Sequence, residues 1–383
     1  MRGSRRWTAA WMLGAAVAMA TAQPLLAPSE ARAPKRDWRT EVVASGLEHP
    51  WAVAFIGEGR MLVTERPGRL RVVEPDGRIG PPLAGVPEVA AIGQGGLLDL
   101  VTDRDFARNR VLYFCYSEPG RGGTNSTALA RAQLAPDLSG VRDVEVIFRQ
   151  QPKVASRAHF GCRIAEAPDG HLFLTLGDRV HRMADAQTLD NHHGKVVRVR
   201  KDGGVPQDNP FVGRPGALPE IWSYGHRNPQ GAVVGPDGSL WISEHGPQGG
   251  DEINRPEAGR NYGWPVITYG ENYGGGPIGE GLKAREGMEQ PLLHWTPSIA
   301  PAGMAFVTSD RYGTEARGSL LVGSLKFRYL ARLTVRDGRI VGEEKLLAGL
   351  DQRVRDVRQG PDGYIYLLTD HAKGQLLRVL PPR

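Results

Sequence analysis

Apolar residues along this chain come in short runs rather than in long stripes. Six runs of four or five residues each follow a turn, at 60–63, 110–114, 171–174, 239–242, 319–322 and 364–367. Ahead of each turn lies a second apolar run, at 51–55, 97–101, 160–165, 230–234, 303–307 and 354–358. Three of the turns are Pro-Asp-Gly (168–170, 236–238 and 361–363), in which proline fixes φ and glycine accepts φ > 0, the chemistry of a tight hairpin. Successive turns are 50, 61, 68, 80 and 45 residues apart, so a hairpin recurs along the whole chain. After residue 22 no segment carries a sustained 3.6-residue apolar period with caps, which disfavours β/α barrels and doubly wound sheets. The pattern predicts an all-β protein, and six units of four short strands fit a six-bladed β-propeller of four-stranded blades. Two tandem sandwiches are the competing architecture, but no Pro/Gly/Ser linker divides residues 38–380.

Composition narrows the class. With 383 residues, 40% of them hydrophobic, the chain can bury a large core, and its 50 glycines and 29 prolines mark a turn-rich globular protein rather than a disordered one. Arg2, Arg5 and Arg6 precede a nearly charge-free stretch, 7–22, that closes on Ala20-Thr21-Ala22, a small-x-small cleavage pattern. Residues 1–22 therefore read as a signal peptide, residues 23–37 as a Pro- and Ala-rich linker, and residues 38–383 as the propeller domain. The apolar stretch is too short to span a bilayer comfortably, so export to the periplasm or the medium is expected, with no membrane span after cleavage. The formal charge of +6 falls to +3 without the three leader arginines, which gives nucleic-acid binding little support. Cys115 and Cys162 fit one bridge or two free thiols equally well.

In a propeller the innermost strands begin beside a central channel, so polar residues at those starts converge on one mouth. Gln94, His159, Arg227, Asn228, Arg353 and Arg355 hold such positions. A second set, Asp178, the run Glu244-His245-Gly246-Pro247, and Lys326, stands where the following strands end. Singly, His159 reads as a structural hydrogen-bonder, Asp178 as a turn residue, and Arg353 and Arg355 as a solvated face. Together, one His, one Asp and four fixed cations (Arg227, Lys326, Arg353, Arg355) describe a site for a polyanionic ligand with a general base beside it. The Gly-rich stretch 270–281 lacks a following helix and reads as a loop, and His181, His192 and His193 have no metal spacing and read as a surface loop.

His159-Phe160-Gly161, Leu176-Gly177-Asp178, Gly194-Lys195-Val196, Asp208-Asn209-Pro210-Phe211, Gly225-His226-Arg227-Asn228-Pro229-Gln230-Gly231, Glu244-His245-Gly246-Pro247, Asp251-Glu252-Ile253-Asn254, Asn261-Tyr262-Gly263-Trp264-Pro265 and Arg353-Val354-Arg355-Asp356-Val357 fall in order along 47–380. Together they resemble the soluble quinoprotein glucose/sorbosone dehydrogenase family, and His245 resembles its aldose sugar dehydrogenase branch. The resemblance implies a propeller holding pyrroloquinoline quinone (PQQ) and Ca²⁺ at the channel mouth. It implies that His159 is the base for the anomeric hydroxyl, Asp178 its orienting carboxylate, and Arg227 the cation beside the quinone oxygen. It further implies that Gln94, Asn228, Lys326, Arg353 and Arg355 contact the cofactor, that the carbonyls of Gly246 and Pro247 hold its Ca²⁺, and that Glu252 with the carbonyl of Tyr262 forms a second Ca²⁺ site. Within the resemblance, Cys162 stands where a small residue is expected, and 179–193 departs from the usual loop.

The expected activity is oxidation of aldose sugars, mono- and disaccharides, to lactones. No Cys-x-x-Cys-His haem motif occurs, so electrons leave through an external acceptor. The competing functions are a Ca²⁺-dependent lactonase- or phosphotriesterase-type hydrolase, which wants Asp, Asn and Glu side chains converging on the metal in a channel that reads as mostly cationic, and a non-catalytic interaction propeller.

Overall fold

The two apolar runs of each repeat form an antiparallel hairpin, and two further strands extend each hairpin into a four-stranded sheet. The structure, a computed structural model, describes residues 38–382. From the channel outward, blade one is Pro50–Gly57, Arg60–Glu65, Arg69–Val73 and Ile79–Pro82. Blade two is Leu97–Thr102, Val111–Pro119, Asn125–Leu134 and Val141–Arg149, and blade three is Ile164–Glu166, Leu172–Leu176, Lys195–Val199 and Ile221–Tyr224. Blade four is Pro229–Val234, Leu240–Glu244, Asp251–Asn254 and Leu293–Trp295; blade five is Pro301–Phe306, Leu320–Ser324, Leu330–Arg336 and Arg339–Leu346. The sixth takes Val354–Gln359, Ile365–Thr369 and Gly374–Leu380 from the end of the chain and its outermost strand, Arg39–Leu47, from the beginning. The innermost strands touch one another in cyclic order, the sixth against the first, so the sheets close into a six-bladed β-propeller.

The sixth blade closes the ring by pairing the two ends of the domain, with Arg39 opposite Leu380 and Leu47 opposite Gly374. Its outer strand is largely solvent-facing, which is why no apolar run marks it in the sequence. The core lies between adjacent sheets: Leu62, Leu100, Leu174, Leu321 and Leu367 are fully buried, and Trp241 of blade four sets its ring edge-on to Phe306 of blade five. Each such leucine contributes about 1.5–3 kcal/mol of burial.

The channel is closed by charge. Arg163 Nη1 lies 2.7 Å from Asp356 and 3.3 Å from Asp99, while Arg358 lies 2.5 Å from Asp99 and 3.1 Å from Asp356. Both carboxylates also accept backbone N–H groups, from Ile164 and Val53, and the Arg163 guanidinium stacks on Trp51 at 3.9 Å. Four blades thus meet in one fully paired network. The expectation of a mostly cationic channel is corrected here: carboxylates stand opposite the arginines, because a buried cation is tolerated only when paired.

Two details bear on the site. The run 160–165 is expected as a strand, yet the inner strand of blade three begins only at Ile164; His159, Gly161 and Cys162 have φ of 54°, 64° and 75°, which no strand accommodates. The 80-residue step is explained by the excursion between Asp251–Asn254 and Leu293–Trp295, which carries Tyr262 and Trp264 toward the site. Among the described residues no helix is long and apolar enough to cross a membrane. The expected signal peptide and linker, 1–37, lie outside the described residues.

Candidate active site

The geometry starts from glycine. A Cβ on Gly177 would stand 2.1 Å from the carbonyl oxygen of His159, so only glycine lets the end of Leu172–Leu176 pass beneath the His159 turn. That passage puts Asp178 Oδ1 2.6 Å from Nδ1 of His159. Asp178 also accepts from the Val180 N–H (2.8 Å) and, through Oδ2, from the indole Nε1–H of Trp264 (2.8 Å). Its own N–H donates to the carbonyl of Arg227, which ties the acid to blade four.

Both members of the pair are buried, at 7% and 1% exposure. Burial, the largest cause, pushes the His159 imidazole below its ordinary value against the bond to Asp178, and the Arg227 and Arg179 charges push the same way as burial. Burial would raise Asp178, but the His159 bond and charge, the Val180 N–H and Arg227 hold it below the usual carboxylate range. The ionised carboxylate therefore keeps the proton on Nδ1 and leaves Nε2 with a free lone pair, the arrangement of a general base.

Arg227 is buried beside this pair, its guanidinium 5.3 Å from the Trp264 ring centre. Its Nη1 donates to the carbonyls of His245 (3.1 Å) and Gly246 (2.7 Å), and Nε has no partner among the described residues. Arg355 is also buried; it donates to Gln230 (3.2 Å) and Asp370 (2.9 Å), and its Nε too is unpartnered. Arg353 is exposed and shares Asp370 at 3.1 Å. Lys326 is exposed; its N–H donates to the Ile299 carbonyl (3.1 Å), and its ammonium lies over the Phe327 ring with no hydrogen bond or ion pair of its own among the described residues. Gln94 and Asn228 face the same segment from opposite sides: Gln94 Oε1 accepts from the His159 N–H (2.9 Å) and Asn228 Oδ1 from the Gly161 N–H (3.1 Å). His245 donates from Nε2 to the Pro301 carbonyl (2.7 Å) and is pushed down to about 3 by burial and by the charges of Arg227 and Arg355.

Several readings need correction or completion. Arg355 is not on a solvated face. His192 and His193 are buried, not on a surface loop: His193 bonds Asp185 (2.8 Å) and the Pro152 carbonyl (3.1 Å), and His192 accepts from the Gln151 N–H (3.1 Å). Beside them the buried Lys195 ammonium donates to the carbonyls of Asp185, Ala186 and His193, which fixes the 185–193 segment. The sequence reading does not single out Trp264 or Asp370: Trp264 lies in a loop, and Asp370 follows Ile365–Thr369, a strand-end position like that of Asp178 that could have found it. Cys115 and Cys162 are bonded to each other.

Residues 47–378 match the family described as Glucose / Sorbosone dehydrogenase. The chain belongs to the glucose/sorbosone dehydrogenase family. It is 45% identical over 344 residues to the aldose sugar dehydrogenase YliI of Escherichia coli, covering 89% of this chain and 92% of that protein. Among solved structures it is similar to the soluble aldose sugar dehydrogenase of Escherichia coli in its apo-form, with a TM-score of 0.87 and 44% identity over 90% of this chain and all of that one. It is also similar to the PQQ-bound form of the aldose sugar dehydrogenase of Streptomyces coelicolor, with a TM-score of 0.73 and 27% identity over 91% of this chain and all of that one.

The residues of this family member fit an anionic cofactor: among the described residues two buried guanidinium groups keep unpartnered Nε atoms, and the Lys326 ammonium has no ion pair. For a small hard cation there is no group of three or more His, Cys, Asp or Glu side chains among the described residues, so carbonyl oxygens would have to supply ligands. A cavity of about 10 Å³ is lined by Arg227, Glu244, Gly246, Glu252, Tyr262 and Trp264 among others. Glu252 is pushed up to about 8 by burial and by the charge of Glu244, and the Asn254 amide donates to both carboxylates (2.9 Å each). Glu244 itself is held low, against burial, by His226, which lies 3.0 Å away. The Gly246 carbonyl is turned toward Arg227, and Tyr262 packs its ring on His226.

Proposed function

We infer that this protein oxidises the anomeric carbon of aldose sugars to lactones with PQQ as its cofactor and passes the electrons to an external acceptor. The observation that carries the reading is the buried His159–Asp178 pair beside Arg227, which, like the buried Arg355, keeps an Nε without a partner among the described residues. PQQ, when bound, supplies the acceptor for the hydride that leaves the anomeric carbon. His159 takes the proton of the anomeric hydroxyl at Nε2, and Asp178 stabilises the imidazolium so formed. Arg227, itself buried, places fixed positive charge where negative charge builds up as the hydride departs. Lys326, Arg353 and Arg355 bind the cofactor's carboxylates, with Gln94 and Asn228 as neutral contacts.

Calcium, through the carbonyls of Gly246 and Pro247, would hold the cofactor, and Glu252 with the Tyr262 carbonyl would hold a second ion; carbonyl and carboxylate oxygens are the ligands that ion prefers. The leader and the disulfide support an exported enzyme. The hydrolase reading loses ground because Asp99 and Asp356, the channel carboxylates, are already committed to Arg163 and Arg358. The test is dye-linked sugar oxidation by metal-free apoprotein, expected only after PQQ and Ca²⁺ are added. Full activity with NAD and no quinone would reject the assignment.

A further inference from the structure

His159 stands on a backbone that does not hold itself. In the four residues His159–Cys162, three have left-handed φ, and two of those three, His159 and Cys162, carry a Cβ that disfavours it. Such a run persists only where its surroundings over-determine it. The N–H groups of His159, Gly161 and Cys162 are held by Gln94, Asn228 and the Thr175 carbonyl (2.9, 3.1 and 2.7 Å). Thr127 donates to the Phe160 carbonyl (2.6 Å), and the Arg179 guanidinium stacks on the Phe160 ring at 3.7 Å. All of these contacts are reversible. The one covalent tie is the bond from Cys162 to Cys115, which lies 47 residues earlier in the second strand of blade two. That strand is hydrogen-bonded on both sides, to Leu97–Thr102 and to Asn125–Leu134, so Cys115 is a rigid anchor. Both sulfur-bearing residues are fully buried.

We propose that the Cys115–Cys162 disulfide is a positioning element for the base: it fastens the left-handed run carrying His159 to the neighbouring blade and so fixes Nε2 relative to the sugar. The proposal rests on the reading of His159 as the base of sugar oxidation. The bond lies between blades two and three, whereas Arg227, Lys326, Arg353 and Arg355 belong to blades four to six. Of the proposed cofactor contacts only the neutral Gln94 and Asn228 touch the segment, so loss of the bond disturbs the base and leaves the cofactor cations in place. A misplacement on the order of 1 Å at a reacting group costs about a hundredfold in rate, so a partly freed segment registers in turnover.

The experiment compares wild type with Cys115→Ala/Cys162→Ala, well below the unfolding temperature of either. Turnover (kcat), PQQ affinity and amide hydrogen exchange over residues 158–163 are measured on the same preparations. The expected result is a kcat reduced about tenfold or more, PQQ affinity within about threefold of wild type, and exchange over 158–163 raised about tenfold or more. If the alanine pair does not fold, Cys115→Ala/Cys162→Gly carries the same comparison, because glycine accepts the φ of 75° without a Cβ. Wild-type kcat in a folded variant, unchanged exchange over the segment, or a rate loss that disappears at saturating PQQ each overturns the proposal; the first would leave the bond as a stability brace alone. Should the intact protein oxidise no aldose with PQQ, the functional reading fails, and the exchange measurement still decides whether the bond fixes this segment.

Discussion

Replacing Asp178 by Asn tests the proposed division of labour at the level of a single proton. The wild-type pair is buried and joined at 2.6 Å, with Asp178 also accepting from Trp264 and Val180. His159 and the Val180 N–H share Oδ1 while the Trp264 indole takes Oδ2, so an asparagine that keeps its oxygen toward Trp264 presents its NH₂ to Nδ1 of His159 and loses the Val180 bond. The imidazole then carries its proton on Nε2, the atom that must accept. Loss of the charge-assisted bond alone is worth about 1.5–3 kcal/mol, roughly 10- to 150-fold in rate. The tautomer change adds to it, so kcat for an aldose is expected to fall by about 10²–10⁴. PQQ affinity should stay within about threefold, because Asp178 is outside the cation cluster. Stopped-flow or dye-linked turnover at saturating PQQ, beside a fluorescence titration of the cofactor, reads both quantities. A turnover within threefold of wild type, or a loss that disappears at high PQQ, would refute the reasoning.

Lys326→Ala should do the reverse, weakening PQQ binding while excess cofactor restores most of the rate; a lasting deficit at saturation would place Lys326 in the chemical step. The acid limb of kcat/KM should lie below the ordinary histidine value near 6.5, because burial and the Arg227 and Arg179 charges keep His159 neutral to lower pH and protonation ends its action as a base. A limb above that value in a pH-rate profile would contradict the assignment. Calcium should raise the unfolding temperature of the apoprotein, and Glu252→Gln should remove most of that gain, measured by calorimetry with and without chelator. An equal gain in the variant would move the second ion away from Glu252.

Much of this was legible before the coordinates. The hairpins were visible because each needs an alternating apolar run and a turn with defined φ, and Pro-Asp-Gly announces both. The outer strand of the sixth blade was not, since Arg39–Leu47 presents mostly polar or exposed positions and reveals itself only through its partner. His159, Asp178, Arg227, Lys326, Arg353 and Arg355 can be singled out as candidates in the sequence because each stands at a strand start or a strand end. Trp264 and Asp370 work through other residues, one behind Asp178 and one between two arginines. Trp264 lies in a loop whose place in the sequence carries no sign of that partnership, whereas Asp370 directly follows Ile365–Thr369, the strand-end position that also marks Asp178. Burial of His192 and His193 was missed for a related reason: a polar run reads as surface unless its hydrogen-bond partners, here Asp185 and backbone groups from 151 and 152, are known.

The central claim, hydride removal from an anomeric carbon with His159 as base, is tested most directly by a single turnover. Protein loaded with PQQ and Ca²⁺ is mixed with an aldose carrying deuterium at the anomeric carbon, without an electron acceptor. The account predicts one lactone formed and one cofactor reduced per active site, a rate slowed by the deuterium, and loss of the reaction in His159→Ala with the cofactor still bound. A cofactor that stays oxidised in the wild-type protein, or a His159→Ala variant that reduces it at the wild-type rate, would contradict it.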